Sequence, residues 1–236
     1  MLAQTIIEDA YSEIRVLRQG YDLTGDEIQL GLRKLNRMLQ FWSGSKNLLI
    51  PFRTRETLTL TDGVNSQTIG PTGDLVTARP TKIIVAKLKD GTTEYPLSIR
   101  DVDRFSRKID RSYSSRPDLI YYEPTYPDGT LYFDSTIDLA YDLLLTSFKP
   151  LNTFADLVTN TDFPDEYDLL MVSNLAVLAA PDFGKEASQT TKDVASVTLL
   201  SIMANNQSHR VPELVVDAAL LGRRRWNFDA GEFESG

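Results

Sequence analysis

Between residues 2 and 18 the apolar positions Ile6, Ala10, Ile14 and Leu17 recur at spacings of four, four and three, which lines one face of a helix. A second run places Ile28, Leu32, Leu35, Leu39 and Trp42 on one face. Thr24 and Glu27 stand before it at the T-x-x-E spacing of a capping box, in which each side chain satisfies a backbone N–H that the first helical turn leaves free. Ser43-Gly44-Ser45 closes this second predicted helix.

From Phe52 the period changes to two. The alternation in Arg55–Leu60 stops at Asp62-Gly63, that in Lys82–Leu88 stops at Asp90-Gly91, and Leu119–Tyr122 leads to a turn at Asp128-Gly129. Each Asp-Gly offers residues that tolerate the positive φ of a tight hairpin. Thr130–Phe133 and Tyr141–Thr146 read as returning strands, so residues 52 to 149 predict an antiparallel β module. A short helix within it is expected around Ile99 to Ser106, with Asp101 as its cap.

Helical spacing then resumes. Pro164, Asp165 and Glu166 suit a first turn, because proline lacks a donor that would be free there and the acids face the positive end of the dipole. Tyr167, Met171, Leu175 and Leu178 follow on one face and Pro181 stops the run. A fourth helix is expected from Lys185 to Asn205, with Ala187, Val194, Val197, Ser201 and Ala204 on a stripe small enough for another helix to approach closely. Pro212–Leu221 is read as one more short helix before the tail.

The expected fold class is therefore α+β: a helical bundle formed by the N- and C-terminal helices, an inserted antiparallel β module and an extended C-terminal tail. The corresponding divisions are 1–50 for the first half of the bundle, 51–150 for the β module, 151–208 for the second half and 209–236 for a C-terminal docking arm.

Composition narrows the function classes. With 236 residues and 42% apolar content the chain can bury a real core. A net charge of -8 disfavours general DNA binding and leaves only a local patch for it. The absence of cysteine removes disulfides and thiolate metal sites. The acid-containing start MLAQTIIEDAYSEIRV reads as neither signal peptide nor anchor, and no run reaches the roughly 18 apolar residues of a membrane span.

Candidate chemistry is sparse, and no cofactor or metal is expected. His209, the single histidine, lies in the polar stretch Asn205–Arg210, which suits a solvated loop better than a triad or metal ligand. Asp9 with Glu13 and Asp165 with Glu166 are explained by solvated faces and helix starts rather than by paired-carboxylate hydrolysis. Ile69–Asp74 lacks the G-K-[ST] ending of a phosphate loop and reads as a turn between strands. Asp22, Asp26 and Glu27 lack EF-hand spacing, and Met171 reads as core. The tyrosines of Tyr121–Pro127 sit among acids, which favours cross-strand packing or a protein contact over base stacking. Nothing here reads as an enzyme.

The tail LLGRRRWNFDAGEFESG is the most unusual stretch. Its arginines admit a nucleic-acid arm, a disordered end or a docking peptide, but Asp229, Glu232 and Glu234 offset the charge of Arg223, Arg224 and Arg225.

Three segments carry a family resemblance. Glu27-x-x-x-x-Leu32-x-x-Leu35-Asn36-x-Met38-Leu39-x-x-Trp42, Asn174-Leu175-Ala176 and Ala180-Pro181-Asp182-Phe183-Gly184 together resemble the head-to-tail adaptors of short-tailed bacteriophages, also described as tail accessory or packaged-DNA stabilisation proteins. The resemblance covers both helical halves, and the β insertion departs from the shortest members. It implies a structural virion protein, assembled in the host cytoplasm as a twelvefold homo-oligomeric ring beneath the portal protein. Such a ring extends the DNA channel, retains packaged DNA without sequence-specific binding, and anchors tail nozzle, tailspike or needle proteins. It further implies that the tail docks on the portal or a neighbour, with Arg223, Arg224 and Arg225 pairing with carboxylates and Trp226, Phe228 and Phe233 as apolar anchors. A virion-associated peptidoglycan hydrolase and a nucleic-acid-binding module stay open as alternatives.

Overall fold

A computed structural model of the chain describes residues 2–17, 22–45, 48–49, 52–107, 112–158, 160, 163–208, 226–227 and 232–233. Helix α1 (Ala3–Glu13) buries Ile6, Ile7, Ala10 and Tyr11. It stops short of Leu17, because Arg15 turns to φ 56 and the N–H groups of Val16 and Leu17 both return to the Tyr11 carbonyl. Helix α2 (Gly25–Trp42) opens on the Thr24/Glu27 capping box and buries Leu32, Leu35, Met38, Leu39 and Trp42. Gly31 is what lets α1 and α2 cross closely. A Cβ there would meet Ile7 Cγ2 at 2.6 Å and the Tyr11 hydroxyl at 2.9 Å.

The chain then enters the sheet. Strands β1 (Arg53–Thr59), β2 (Ser66–Gly70), β3 (Leu75–Val76), β4 (Lys82–Asp90) and β5 (Thr93–Arg100) precede the one-turn helix α3 (Val102–Ser106). Strands β6 (Leu119–Glu123), β7 (Gly129–Phe133) and β8 (Asp142–Phe148) complete it. All eight form one mixed sheet in the order β1-β8-β4-β5-β6-β7-β2-β3, curled nearly into a barrel. Its inward rows are in register: Leu58 faces Leu143, Ala86 faces Leu145 and Leu97, and Ile120 faces Phe133. These side chains fill an apolar barrel core.

The fold class expected from the sequence, a helical bundle carrying an inserted antiparallel module, is therefore corrected. The protein is sheet-dominated, with five helices among the described residues, and the sheet is not purely antiparallel: β2 pairs with β3 and β5 with β6 in parallel. The physical reason lies in long-range pairing. Asp90-Gly91 does join neighbours, with Gly91 at φ 56, but Asp62-Gly63 joins β1 and β2, which pair instead with β8 and β7. Asp128-Gly129 differs again. Gly129 begins β7 without a positive φ, and it is small because the Tyr122 ring lies against it. Nor is the tail extended throughout, since β9 (Trp226–Asn227) and β10 (Glu232–Phe233) pair antiparallel.

Helix α4 (Tyr167–Ala179) is apolar on nearly every side and sits centrally, against α1, α2 and α5 (Gln189–Ser208). Its expected face holds for Tyr167, Met171 and Leu175, which are buried, whereas Leu178 is exposed. Pro164–Glu166 form the turn just before it, and Pro181 starts a 3-10 turn, Ala180–Phe183, that ends at left-handed Gly184. Helix α5 buries Thr191, Ala195, Ile202 and Asn206, so Val197, Ser201 and Ala204 of the expected stripe face solvent and only Ala187, before the helix, is buried with the core.

Where β8 runs out, the segment 151–154 crosses α2. Asn36 donates Nδ2–H to the Phe154 carbonyl at 2.9 Å and accepts the Phe154 N–H at 2.9 Å, while Ser43 Oγ accepts the Leu151 N–H at 2.9 Å. Two helical side chains thus replace the strand partner this backbone has lost. Asn36→Ala leaves a donor and an acceptor unmatched in a half-buried site, and we expect a loss of about 2 kcal/mol in urea unfolding. A change below about 0.5 kcal/mol would mean the clamp is dispensable.

Candidate interaction surfaces

The residues behind the family resemblance are joints of the helical core. Asn36 clamps Phe154, and Asn174 donates to the carbonyls of Leu170 and, across to α5, Ala195. Asp182 pairs with Lys34 at 2.6 Å, while Lys34 Nζ also donates to the Leu178 carbonyl at the end of α4. Phe183 meets the Tyr11 ring edge-on at 4.9 Å, and the Tyr11 hydroxyl donates to the Glu27 carbonyl. Burial pushes that phenol up to about 12, with Asp182 and Glu27 adding to the effect and Arg33 opposing it. Lys185, next after Gly184, donates to the Arg15 carbonyl where α1 ends.

The barrel carries a polar seam. Edge strands β1 and β3 do not pair, yet Thr77, just past β3, donates its hydroxyl to Glu56 on β1. The other Glu56 oxygen lies 2.7 Å from Lys149 Nζ, which also donates to the Ala78 carbonyl at 2.7 Å. Lys149 is buried, and that burial draws its ammonium below the usual lysine range against the opposing pull of Glu56.

Outside the barrel, β1, β8, β4 and β5 shape an open groove of about 510 Å³. Arg53, Arg55, Glu56 and Thr57 line one side, Leu144, Leu145 and Thr146 the middle, and Val85, Lys87 and Glu94 the other, with Glu56 already engaged by Thr77 and Lys149. Lys87 is paired with Glu94 at 2.9 Å, whereas Arg53 and Arg55 are exposed and lack a carboxylate within ion-pair distance among the described residues. The groove was not anticipated. Alternation marks Arg53 and Arg55 as a solvent-facing row, but their meeting with Val85 depends on β8 lying between β1 and β4.

The tyrosine stretch resolves into packing. Tyr121 stacks on Tyr132 of the next strand at 6.0 Å, and Phe105 of α3, capped by Asp101, covers both. Tyr122 donates to the Pro80 carbonyl, while Tyr126 is 90% exposed. A second recess of about 340 Å³ is lined by Leu2, Thr5, Ile6, Asp165 and Asp168. Asp9 lies nearby on α1, its carboxyl raised above the usual 3.8 by burial and by the charges of Asp168 and Glu8. Among the described residues no group of three or more His, Cys, Asp or Glu side chains could hold a metal ion, and no helix is long and apolar enough to cross a membrane.

Of the expected docking residues, Trp226 and Phe233 fall on the paired strands β9 and β10, as register partners. Arg223, Arg224, Arg225 and Phe228 lie outside the described residues, as do His209 and the expected helix Pro212–Leu221.

A protein-family comparison matches residues 2–220 to the model described as SU10 adaptor protein. No functionally curated protein matches the sequence.

Two outcomes test these surfaces. Lys149→Met strands the Glu56 carboxylate in the seam and is expected to cost about 3 kcal/mol in urea unfolding, whereas the double change with Glu56→Gln costs less. Equal or additive losses would show that the pair is not the energetic unit. For Asp9 the folded-state value is raised, so its charged form opposes folding above that value and the penalty vanishes as pH falls below 3.8. Asp9→Asn should therefore raise the melting temperature at pH 7 and lose that gain as the pH approaches 3.8, and a gain independent of pH would refute this origin.

Proposed function

Because the chain belongs to the SU10 adaptor protein family, a family of phage head-to-tail adaptors, we propose that it is a structural virion protein whose subunits form a ring beneath the portal. In this reading the ring is twelvefold, extends the DNA channel, retains packaged DNA and anchors tail components. The match over residues 2–220 carries the reading. It is supported by the motif residues, since Asn36, Asn174 and Asp182 each join separate helices or segments and would hold a subunit to one shape.

The remaining assignments follow as parts of the proposal. Residues 1–50 and 151–208 form the helical part of the subunit, 51–150 the β part, and 209–236 dock the subunit, through Arg223, Arg224, Arg225, Trp226, Phe228 and Phe233, on the portal or a neighbour. The acidic balance of the chain, -8 overall, suits a channel that lets DNA slide rather than stick.

Purified protein mixed with portal should assemble into twelvefold rings visible by electron microscopy. Removing residues 222–236 should abolish that assembly, and unimpaired rings from the truncated chain would sink the docking role. Absence of portal binding by the intact chain would sink the adaptor reading.

A further inference from the structure

The groove outside the barrel has a mixed character that points to a particular kind of ligand. Its floor is partly apolar, with Val85 41% exposed beside Leu144, and Arg53 and Arg55 stand on its rim without partners among the described residues. A phosphate backbone needs cations but no apolar floor, whereas an acidic peptide bearing aromatic residues uses both. At about 510 Å³ the groove is the size of a pocket that seats a few side chains.

The chain itself contains such a peptide. Trp226–Gly236 reads WNFDAGEFESG, with three carboxylates, no basic residue and three aromatic rings. Residues 209–225 separate it from the end of α5 and could span on the order of 60 Å if extended. That reach is ample to pass from one subunit to the next. In the single chain β9 and β10 pair with each other, and among the described residues none that lines the groove comes from the tail.

We propose that residues 226–236 of one subunit dock in the groove between Arg53, Arg55 and Val85 of a second copy of this chain. The inference rests on the adaptor reading and assigns the neighbour as receptor for this part of the arm. Asp229, Glu232 and Glu234 face the two arginines, and the aromatic residues take the apolar floor. A contact of this kind joins two different faces, and where its rotation closes, repetition around an axis makes a ring. Losing the arm then removes a bond between subunits, which explains why rings on the portal would need it.

The lack of native cysteine makes the test direct. Full-length Gly236→Cys carries a benzophenone on its single thiol, is mixed with isotopically heavy unlabelled protein, and is photolysed without portal. Crosslinks from the light tail to heavy peptides containing Arg53–Thr57 or Val85–Lys87 are expected. Their yield should fall about tenfold in Arg53→Glu/Arg55→Glu or in Asp229→Lys/Glu232→Lys/Glu234→Lys, and return when the two reversed chains are combined. The tail variant leaves the barrel untouched, so a folding defect in the groove variant does not blunt the test. Crosslinks confined to one chain, crosslinks elsewhere on the surface, or displacement of the tail by duplex DNA would each overturn the proposal. With portal absent, such a failure leaves the adaptor reading standing, while intact crosslinks without portal binding would fault that reading alone.

Discussion

The two hydrogen bonds between the Asn36 side chain and the Phe154 backbone tie α2 to the chain that leaves the barrel. Strand β8 lies between β1 and β4, and its continuation is the segment that α2 grips through Asn36 and Ser43. Phe148, Leu151 and Phe154, on that same continuous stretch, belong to the helical core, while Leu143 and Leu145 belong to the barrel core. One strand thus serves both cores, and its exit path fixes how the barrel meets the helices. A side-chain amide suits this place because it matches both the donor and the acceptor of one residue, as a strand would.

Local chemistry was legible and distant pairing was not. The Thr24/Glu27 box, the buried face of α2, Asp101 as a cap and the Tyr121 cross-strand contact all follow from residues within a few positions of each other or on successive strands. The sheet order does not. Nothing in the alternation of Arg55–Leu60 says that its partner is Asp142–Phe148 rather than the next strand, because a period of two reports which face is buried and not which neighbour buries it. Gly129 shows the same limit at one residue. Asp-Gly is read as a turn, yet here the glycine makes room for Tyr122. The small stripe on α5 turns outward: Ala195 and Ile202 are buried, whereas Val197 and Ala204 are exposed.

Surface character differs between the parts that these connections hold together. The outer face of β1 and β4 carries Arg53, Arg55, Lys82, Lys87 and Lys89, whereas α1 and the start of α4 carry Glu8, Asp9, Asp165, Glu166 and Asp168. Such unlike clusters favour contacts between opposite faces over contacts between like ones. Beyond its two charged residues near the start, Lys192 and Asp193, α5 carries no charge to its end, and Val197 and Leu200 are 62% and 65% exposed. Helical faces of that kind are neutral ground on which such contacts could settle without charge conflict.

The all-round apolar character of α4 bears on how the chain is made. Helices α1 and α2 leave the ribosome with one side of each unburied, and the helix that covers them begins only at Tyr167. At about 5–20 residues per second that wait lasts on the order of ten seconds. During it the barrel strands emerge in full, and β8, the one that closes onto β1, arrives last among them. Synthesis order therefore lets the sheet finish before the helical core can form, and the early helices are held near their eventual partner by a barrel already standing between them.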